Sequence, residues 1–326
     1  MGDPMKVIDT FLFSDSFEAN CLEIKLNCEA AAIDEWVLIQ SPYSFRGDYK
    51  GVCAEEVLKE KRFDDFRDRV KVITIEENWF ERVCTSHCEK EYFKVEFLSR
   101  ASCWDYIQNK YQDDTRVIIS DVDELIDFSD EARRAKFFDI CSRKISKGFQ
   151  LYQLKYWWDI DNLSFYPKYI PVHTISSLRL GTTSFTHRNN DCQQINDTDV
   201  ICAFEYAYSF SMDNNFKKCS TFAHDRYTTD SLTTSQILNC WHRDAARGEV
   251  LGRDVYDWFE TIELNKYNTP SFVLENYDRF KVNTIDPKYA SNRINLYGWN
   301  NPHPALTHGF LGKNKIAKRC DYYRNQ

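Results

Sequence analysis

Short apolar runs alternate with amphipathic stretches along the first part of the chain. Lys6 to Phe13 reads as a strand, and Phe17 to Leu26, where Leu22, Ile24 and Leu26 sit among Glu and Lys, reads as the helix behind it. Trp36 to Ile39 and Val70 to Ile75 are the second and third strands, Glu91 to Ile107 is a long amphipathic helix, and Val117 to Ser120 is a fourth strand. Strands alternating with helices predict an α/β fold: a mostly parallel, doubly wound central sheet with helices on both faces. Farther on, Ser129 to Ile145 reads as a helix capped by Ser129, with Glu131 in its first turn and Lys144 near its last. Phe149 to Trp158 alternates and is rich in aromatics, so it predicts a strand with one buried face. Residues 159–215 lose helical periodicity and fill with Asn, Asp, Ser and Thr, which predicts loops and short strands. Thr233 to Ala246 recovers a helical pattern, and the chain beyond Pro287 is polar and irregular.

Composition narrows the class. With 326 residues, 43% hydrophobic and 15% aromatic, the chain has ample material for a large core. A net charge of −8 offers no basic field for nucleic acid or an anionic membrane. The opening residues lack a basic segment followed by an apolar one, and no stretch approaches the roughly 18 apolar residues of a membrane span, so the expected location is the cytoplasm. Gly2 is followed by Lys6 where a myristoylation signal wants Ser or Thr. The 12 cysteines are scattered with no Cys-x-x-Cys pair, and reduced, mostly buried thiols are expected. Cys84-Thr85-Ser86-His87-Cys88 comes nearest to a soft metal cluster but lacks a second half. The 10 glycines form neither Gly-x-Gly-x-x-Gly nor a P-loop, which argues against a dinucleotide oxidoreductase and a P-loop kinase. The absence of Gly-x-Ser-x-Gly removes the usual α/β-hydrolase.

Candidate chemistry concentrates at Val117 to Leu125, an apolar run that ends in Asp121, Asp123 and Glu124. A buried strand followed by Asp-x-Asp places two carboxylates at the carboxyl edge of a sheet, where open α/β sheets bind ligands. Such a pair suits Mg²⁺ or Mn²⁺, which takes one or two carboxylates and completes its shell with substrate phosphates. The competing interpretation is an acidic turn that only caps the next helix.

Several collinear segments resemble glycosyltransferase family 17, whose best-known members add the bisecting N-acetylglucosamine to glycoprotein glycans. Asp9-Thr10-Phe11-Leu12-Phe13 with Leu22-Glu23-Ile24-Lys25-Leu26 resembles its opening strand and helix, and Val37-Leu38-Ile39-Gln40-Ser41 with Phe45-Arg46-Gly47 its second strand and loop. Ile119-Ser120-Asp121-Val122-Asp123-Glu124-Leu125 is close to its acidic motif. Lys218-Cys219-Ser220-Thr221-Phe222-Ala223-His224 and Pro270-Ser271-Phe272-Val273-Leu274-Glu275-Asn276 resemble later segments. Two departures stand out. Gln40 replaces a Glu, and Glu205-Tyr206-Ala207-Tyr208-Ser209-Phe210-Ser211 keeps the acid of an Asp-Ala-Gly-Trp-His-Phe-Ser segment but loses its Gly, Trp and His.

The resemblance implies a GT-A type nucleotide-sugar-binding domain over residues 1–286, with a donor-binding half at about 1–127, an acceptor-side half at 128–286 and a C-terminal extension at 287–326. It implies a nucleotide-diphosphate sugar as donor and a divalent cation on Asp123, with Asp121 on the cation directly, through water or on the ribose, and His224 completing the metal site. Glu124 lies behind the ligands or faces solvent. Inverting transfer needs a base on the acceptor hydroxyl. Glu205, in an apolar context where burial would raise its pKa, is the first candidate, and Asp159, after Tyr156-Trp157-Trp158, the second. The alternative for Glu205 is a carboxylate paired with a nearby Arg or Lys. Arg179 and Lys218 bind diphosphate or acceptor, or are ordinary ion pairs. Trp157, Trp158 and Tyr208 stack on sugars or pack in the core. The acceptor is a glycan or polysaccharide, with a hydroxylated DNA base left open against the acidic charge. Rival readings are a carbohydrate-binding protein on the same fold and a metal-dependent phosphohydrolase or nucleotidyltransferase, the last of which lacks residues spaced for a second metal.

Overall fold

Alternation along the first strands sends side chains to two different layers. In the computed structural model, which describes residues 5–86, 88–143, 148–156, 159–180, 192–195, 202–206, 214, 217–218 and 259–281, β1 (Val7–Leu12), β2 (Glu35–Gln40), β3 (Val70–Thr74) and β4 (Arg116–Asp121) form the parallel order β3-β2-β1-β4. Val7, Phe11, Trp36, Leu38 and Ile118 face one core, which α1 (Ala19–Glu29) closes with Leu22, Ile24 and Leu26 and α2 (Ala54–Val57) closes with Ala54 and Val57. Ile8, Val37, Ile39, Val117 and Ile119 face the other. Both faces being covered explains why these strands read as continuous apolar runs.

The second face differs from expectation in one respect. The predicted helix over Glu91 to Ile107 is two helices, α4 (Glu89–Ala101) and α5 (Trp104–Lys110), which follow the short α3 (Trp79–Val83). Ser102 donates its hydroxyl to the Ser99 carbonyl at 2.7 Å and Cys103 its thiol to the Arg100 carbonyl at 3.3 Å. Side chains that satisfy the last carbonyls in this way compete with helical continuation. The break lets Cys103 and Ile107 turn into the second core.

After β4 the chain enters β5 (Glu124–Ile126), then α6 (Glu131–Ser142), β6 (Phe149–Tyr156), β7 (Asn162–Thr174), α7 (Ile175–Leu180), β8 (Gln193–Ile195), β9 (Ala203–Glu205) and β10 (Phe259–Thr261). The N-cap of α6 is Asp130, whose Oδ1 accepts the Arg133 amide at 2.9 Å, and not Ser129, which instead donates its hydroxyl to Asp127 at 2.5 Å. The strand β7 falls where loops and short strands were expected. Its prolines, Pro167 and Pro171, hide the alternation, and Pro167 falls in the stretch where the β6 register shifts, a position that tolerates a missing amide. Gly148, at φ +93°, precedes β6, and a Cβ there would stand 2.6 Å from the Val172 carbonyl.

The full order among the described residues is β3-β2-β1-β4-β7-β6-β9-β5, with β10 on β7 and β8 on β6. Only β7 and β5 run against the rest. The protein therefore has a mixed α/β fold around a mostly parallel sheet. β5 pairs with β9 at the far end of this order, yet it starts three residues after β4 ends. A link that short spans only about 10 Å. The sheet must curl so that its last strand returns to β4, and the junction where it does so is Asp121-Val122-Asp123. No helix among the described residues is long and apolar enough to cross a membrane.

Candidate functional site

Parallel β1 and β4 end side by side, so the loops that leave them share one edge of the sheet. After β1 the chain makes a 3-10 turn, Ser16–Glu18, which brings the buried Glu18 back so that its carboxylate accepts the Ser14 amide at 2.7 Å. After β4, Val122 is buried in the core and Asp121 and Asp123 project from either side of it. Glu124 is buried behind them and accepts the Asp121 amide at 3.0 Å, while the Asp123 carbonyl accepts the Tyr206 amide at 2.8 Å. The acidic turn is thus held by the backbone at both ends.

Two cations from distant segments meet these acids. Lys218 places Nζ 2.5 Å from Asp123 Oδ2 and 3.5 Å from Glu18 Oε1. Arg100, on α4, reaches Asp121 Oδ1 and Glu96 Oε1, each at 2.8 Å. Burial pushes the Glu18 carboxyl up; the Lys218 charge opposes this and the Asp123 charge adds to it. Burial likewise pushes the nearby Cys21 thiol well up, with the Asp123 charge reinforcing it, so that thiol stays protonated.

Beneath the turn lies a fully buried polar network. Lys25 Nζ sits 2.5 Å from Asp9 Oδ2 and 3.0 Å from Glu29 Oε1, and donates to Ser120 Oγ at 3.0 Å and the Glu124 carbonyl at 2.6 Å. Ser120 donates to Asp9 at 2.7 Å, and Glu29 also accepts the Trp36 indole at 2.8 Å and the Ile126 amide at 3.1 Å. Burial works against the ammonium, but Asp9 and Glu29 more than offset it and raise the Lys25 pKa. Burial, with the Asp9 charge beside it, pushes the Glu29 carboxyl up against the pull of Lys25. This network ties α1, β1, β4 and β5 together directly under Asp121 and Asp123.

The other expected site residues fall in three places. Glu205 ends β9 across from Glu124 on β5, so the curl of the sheet brings it beside the acidic turn. Its Oε1 is 3.0 Å from Lys155 Nζ and its Oε2 accepts the Gln153 amide at 2.9 Å. Asp159 follows the carboxyl end of β6, on the same sheet edge, where it pairs with Lys281 at 3.1 Å and accepts the Ile160 amide at 3.0 Å. Burial pushes the Asp159 carboxyl up, and Lys281 partly restores it. Arg179 is not brought to the acidic pair. It closes α7 at the opposite, amino edge of the sheet, 2.7 Å from Asp113 and donating to the Gln108 carbonyl at 3.1 Å. His224, Trp157, Trp158, Tyr208, the expected helix from Thr233 to Ala246 and the chain beyond Pro287 lie outside the described residues.

Sequence reasoning missed Glu18, Arg100 and the Lys25 network. A signal existed for Lys25: Leu22 and Leu26 form one apolar stripe of the helix and Ile24 and Cys28 another, and Lys25 and Glu29, four residues apart, lie between the two. Gln40 is buried at the end of β2. Its carbonyl accepts the Cys53 and Ala54 amides at 3.2 and 2.9 Å, and its amide donates to Glu55 at 2.7 Å and Thr74 at 2.9 Å.

Fold and site together define a mixed α/β protein whose sheet carries an acidic carboxyl edge. No protein-family model and no curated protein matches the chain. Solved structures similar to it include the galactosyltransferase LgtC in complex with donor and acceptor sugar analogues, at 12% identity over 89% of this chain and 98% of that one, with a TM-score of 0.32. Mouse xyloside xylosyltransferase 1 in its apo form matches at 10% identity over 56% of this chain and 70% of that one, with a TM-score of 0.28. Likeness at this level assigns the chain to no family.

Proposed function

We propose that the protein is a metal-dependent, inverting glycosyltransferase that moves a sugar from a nucleotide-diphosphate sugar to a hydroxyl of a glycan or polysaccharide. The observation that carries this reading is the pair Asp121 and Asp123 at the carboxyl end of the central strand β4, with Glu205 brought beside it by the β5–β9 pairing. The collinear family 17 segments support it independently of the geometry.

The donor set suits a hard cation. Among the described residues no three His, Cys, Asp or Glu side chains form a group able to hold a metal alone, so the protein would offer Asp123 and Asp121 and leave the remaining positions to diphosphate oxygens. His224 is the candidate third ligand. A bound cation would neutralise the leaving diphosphate.

Glu205 is the proposed base. Lys155 and Gln153 each engage one oxygen of its carboxylate, which fixes the group at the end of β9 on the same side of the sheet order as the acidic turn. Glu205 takes the hydroxyl proton, the hydroxyl oxygen forms the bond to the anomeric carbon, and the bond from that carbon to the diphosphate breaks, releasing the nucleoside diphosphate. Asp159 is the next candidate on the same edge.

Incubation with a panel of nucleotide sugars and Mn²⁺ tests the proposal by released nucleoside diphosphate. Wild type should turn over at least one donor, Asp123→Asn should not, and Glu205→Gln should bind donor normally yet fail to transfer. A folded wild type that neither binds nor cleaves any nucleotide sugar overturns the reading. Transfer by Glu205→Gln moves the base to Asp159.

A further inference from the structure

Lys218 takes a position that the acidic edge would otherwise offer to a dissolved cation. Its ammonium lies between two buried carboxylates from different loops, Asp123 at 2.5 Å and Glu18 at 3.5 Å, and its own side chain is only 16% exposed. Buried carboxylates are found paired with a positive group or on a metal. Arg100 does not serve them, because its bonds go to Asp121 and Glu96. Lys218 alone among the cations described here touches the second aspartate of the pair.

We propose that Lys218 is the resident counter-ion of Asp123, that it competes with a divalent cation for this carboxylate, and that the cation's arrival releases the ammonium to the diphosphate. The choice of diphosphate as the released ammonium's new partner rests on the glycosyltransferase reading; the competition does not. A lysine suits the part, since its ammonium is a compact charge on a flexible stem and can exchange one anion for another without a fixed geometry. The exchange keeps the buried acids neutralised in both states. It also ties cation binding to donor binding, because a bound diphosphate would give the displaced ammonium a new anionic partner in place of Asp123.

Mn²⁺ binding to the full-length chain, followed by the paramagnetic resonance of free Mn²⁺ with no nucleotide present, tests the competition. Lys218→Met should bind Mn²⁺ at least about tenfold more tightly than wild type, the low end for removing a unit charge within about 5 Å of a divalent ion in a solvated site. Lys218→Arg should stay near wild type, and Asp123→Asn should abolish the tight site in the Lys218→Met background. Equal or weaker Mn²⁺ binding by Lys218→Met, or binding by neither protein, overturns the proposal. Should Lys218→Met not fold, Lys218→Gln carries the same comparison. With Mn²⁺ saturating, inorganic pyrophosphate should bind wild type more tightly than Lys218→Met, and equal binding overturns the release step. A failure of sugar transfer with every donor leaves the Mn²⁺ comparison intact, so the two readings fall separately.

Discussion

Replacing Lys25 with Met removes one charge from the base of the acidic edge and leaves two. The ammonium is fully buried, donates to Glu29 at 3.0 Å, Ser120 at 3.0 Å and the Glu124 carbonyl at 2.6 Å, and forms an ion pair with Asp9 at 2.5 Å. Met fills the aliphatic stem, so the loss is electrostatic. Asp9 keeps the Ser120 hydroxyl and Glu29 keeps the Trp36 indole and the Ile126 amide, but no cation remains for either carboxylate in this network. Removing one partner from a buried ion pair costs about 3 to 5 kcal/mol. Set against a total of roughly 5 to 15 kcal/mol for a domain, the variant loses about a fifth or more of its stability. Equilibrium unfolding in urea measures this directly. The triple variant Lys25→Met, Asp9→Asn, Glu29→Gln, which removes all three charges, should recover most of the loss, because neutral groups of the same shape carry no uncompensated charge. In the single variant the deficit should grow as pH rises from about 4 toward 7, since carboxyls with raised folded pKa values favour folding only while protonated. A loss below about 1 kcal/mol, or a triple variant no better than the single one, would refute the assignment of Lys25 as the charge that holds this layer.

Gln40→Glu should destabilise the chain by about 1 to 3 kcal/mol at neutral pH, because the new carboxylate would face Glu55, now 2.7 Å from the Gln40 amide. Adding Glu55→Gln should rescue the urea midpoint, and an unchanged midpoint in Gln40→Glu alone would count against the geometry. Asp159 has a folded pKa raised mainly by burial, so its contribution is complete below its unfolded value near 4 and is lost as pH rises through the folded value. The stability of wild type relative to Asp159→Asn should therefore decline as pH rises from about 4, and a difference that rises instead contradicts the shift. Brief alkylation of native protein with iodoacetamide, read by peptide mass spectrometry, should mark Cys88 before Cys103, Cys141 and Cys202. The exposed Cys88 thiol is pulled down by the Ser86 hydroxyl and the Glu91 amide, whereas burial pushes Cys141 and Cys202 to about 12 and Cys103 beyond. Equal labelling of Cys141 and Cys88 would refute this order.

Three strands of the parallel half, β1, β2 and β4, were legible because each is buried on both faces, whereas β3 at the sheet edge is only partly covered. Doubly buried strands have little choice of residue, and Val7 to Leu12, Glu35 to Gln40 and Arg116 to Asp121 announce themselves as largely apolar runs, while Val70 to Thr74 shows itself by its β-branched residues. Where a local side chain decides an element, the sequence is ambiguous. Apolar periodicity runs through Ser102 and Cys103 without a gap, and only the hydroxyl and thiol bonds to the preceding turn divide α4 from α5. Ser129 and Asp130 are equally good caps on paper. Asp127 draws the Ser129 hydroxyl away, which leaves Asp130 to the helix.

The candidate site divides along a different line. A strand that ends in Asp-x-Asp shows where carboxylates emerge, because strand and motif are contiguous. The groups that neutralise them are fixed by topology, and topology depends on strand direction, which alternation does not record: a strand pointing either way places the same residues inward. Arg179 shows the consequence. It follows β7, and had β7 run parallel to β4 the helix after it would stand at the carboxyl edge beside Asp121. β7 is antiparallel, pairing Thr174 with Arg116 at the start of β4, so α7 and Arg179 stand at the amino edge and meet Asp113. By the same logic Glu205 reaches the acidic turn because β9 runs with β4 and the sheet curls to pair it with β5. A buried carboxylate announces that it needs a partner. Which lysine or arginine answers is decided by strand direction and sheet curl, and for Asp123 the answer is Lys218, 95 residues away.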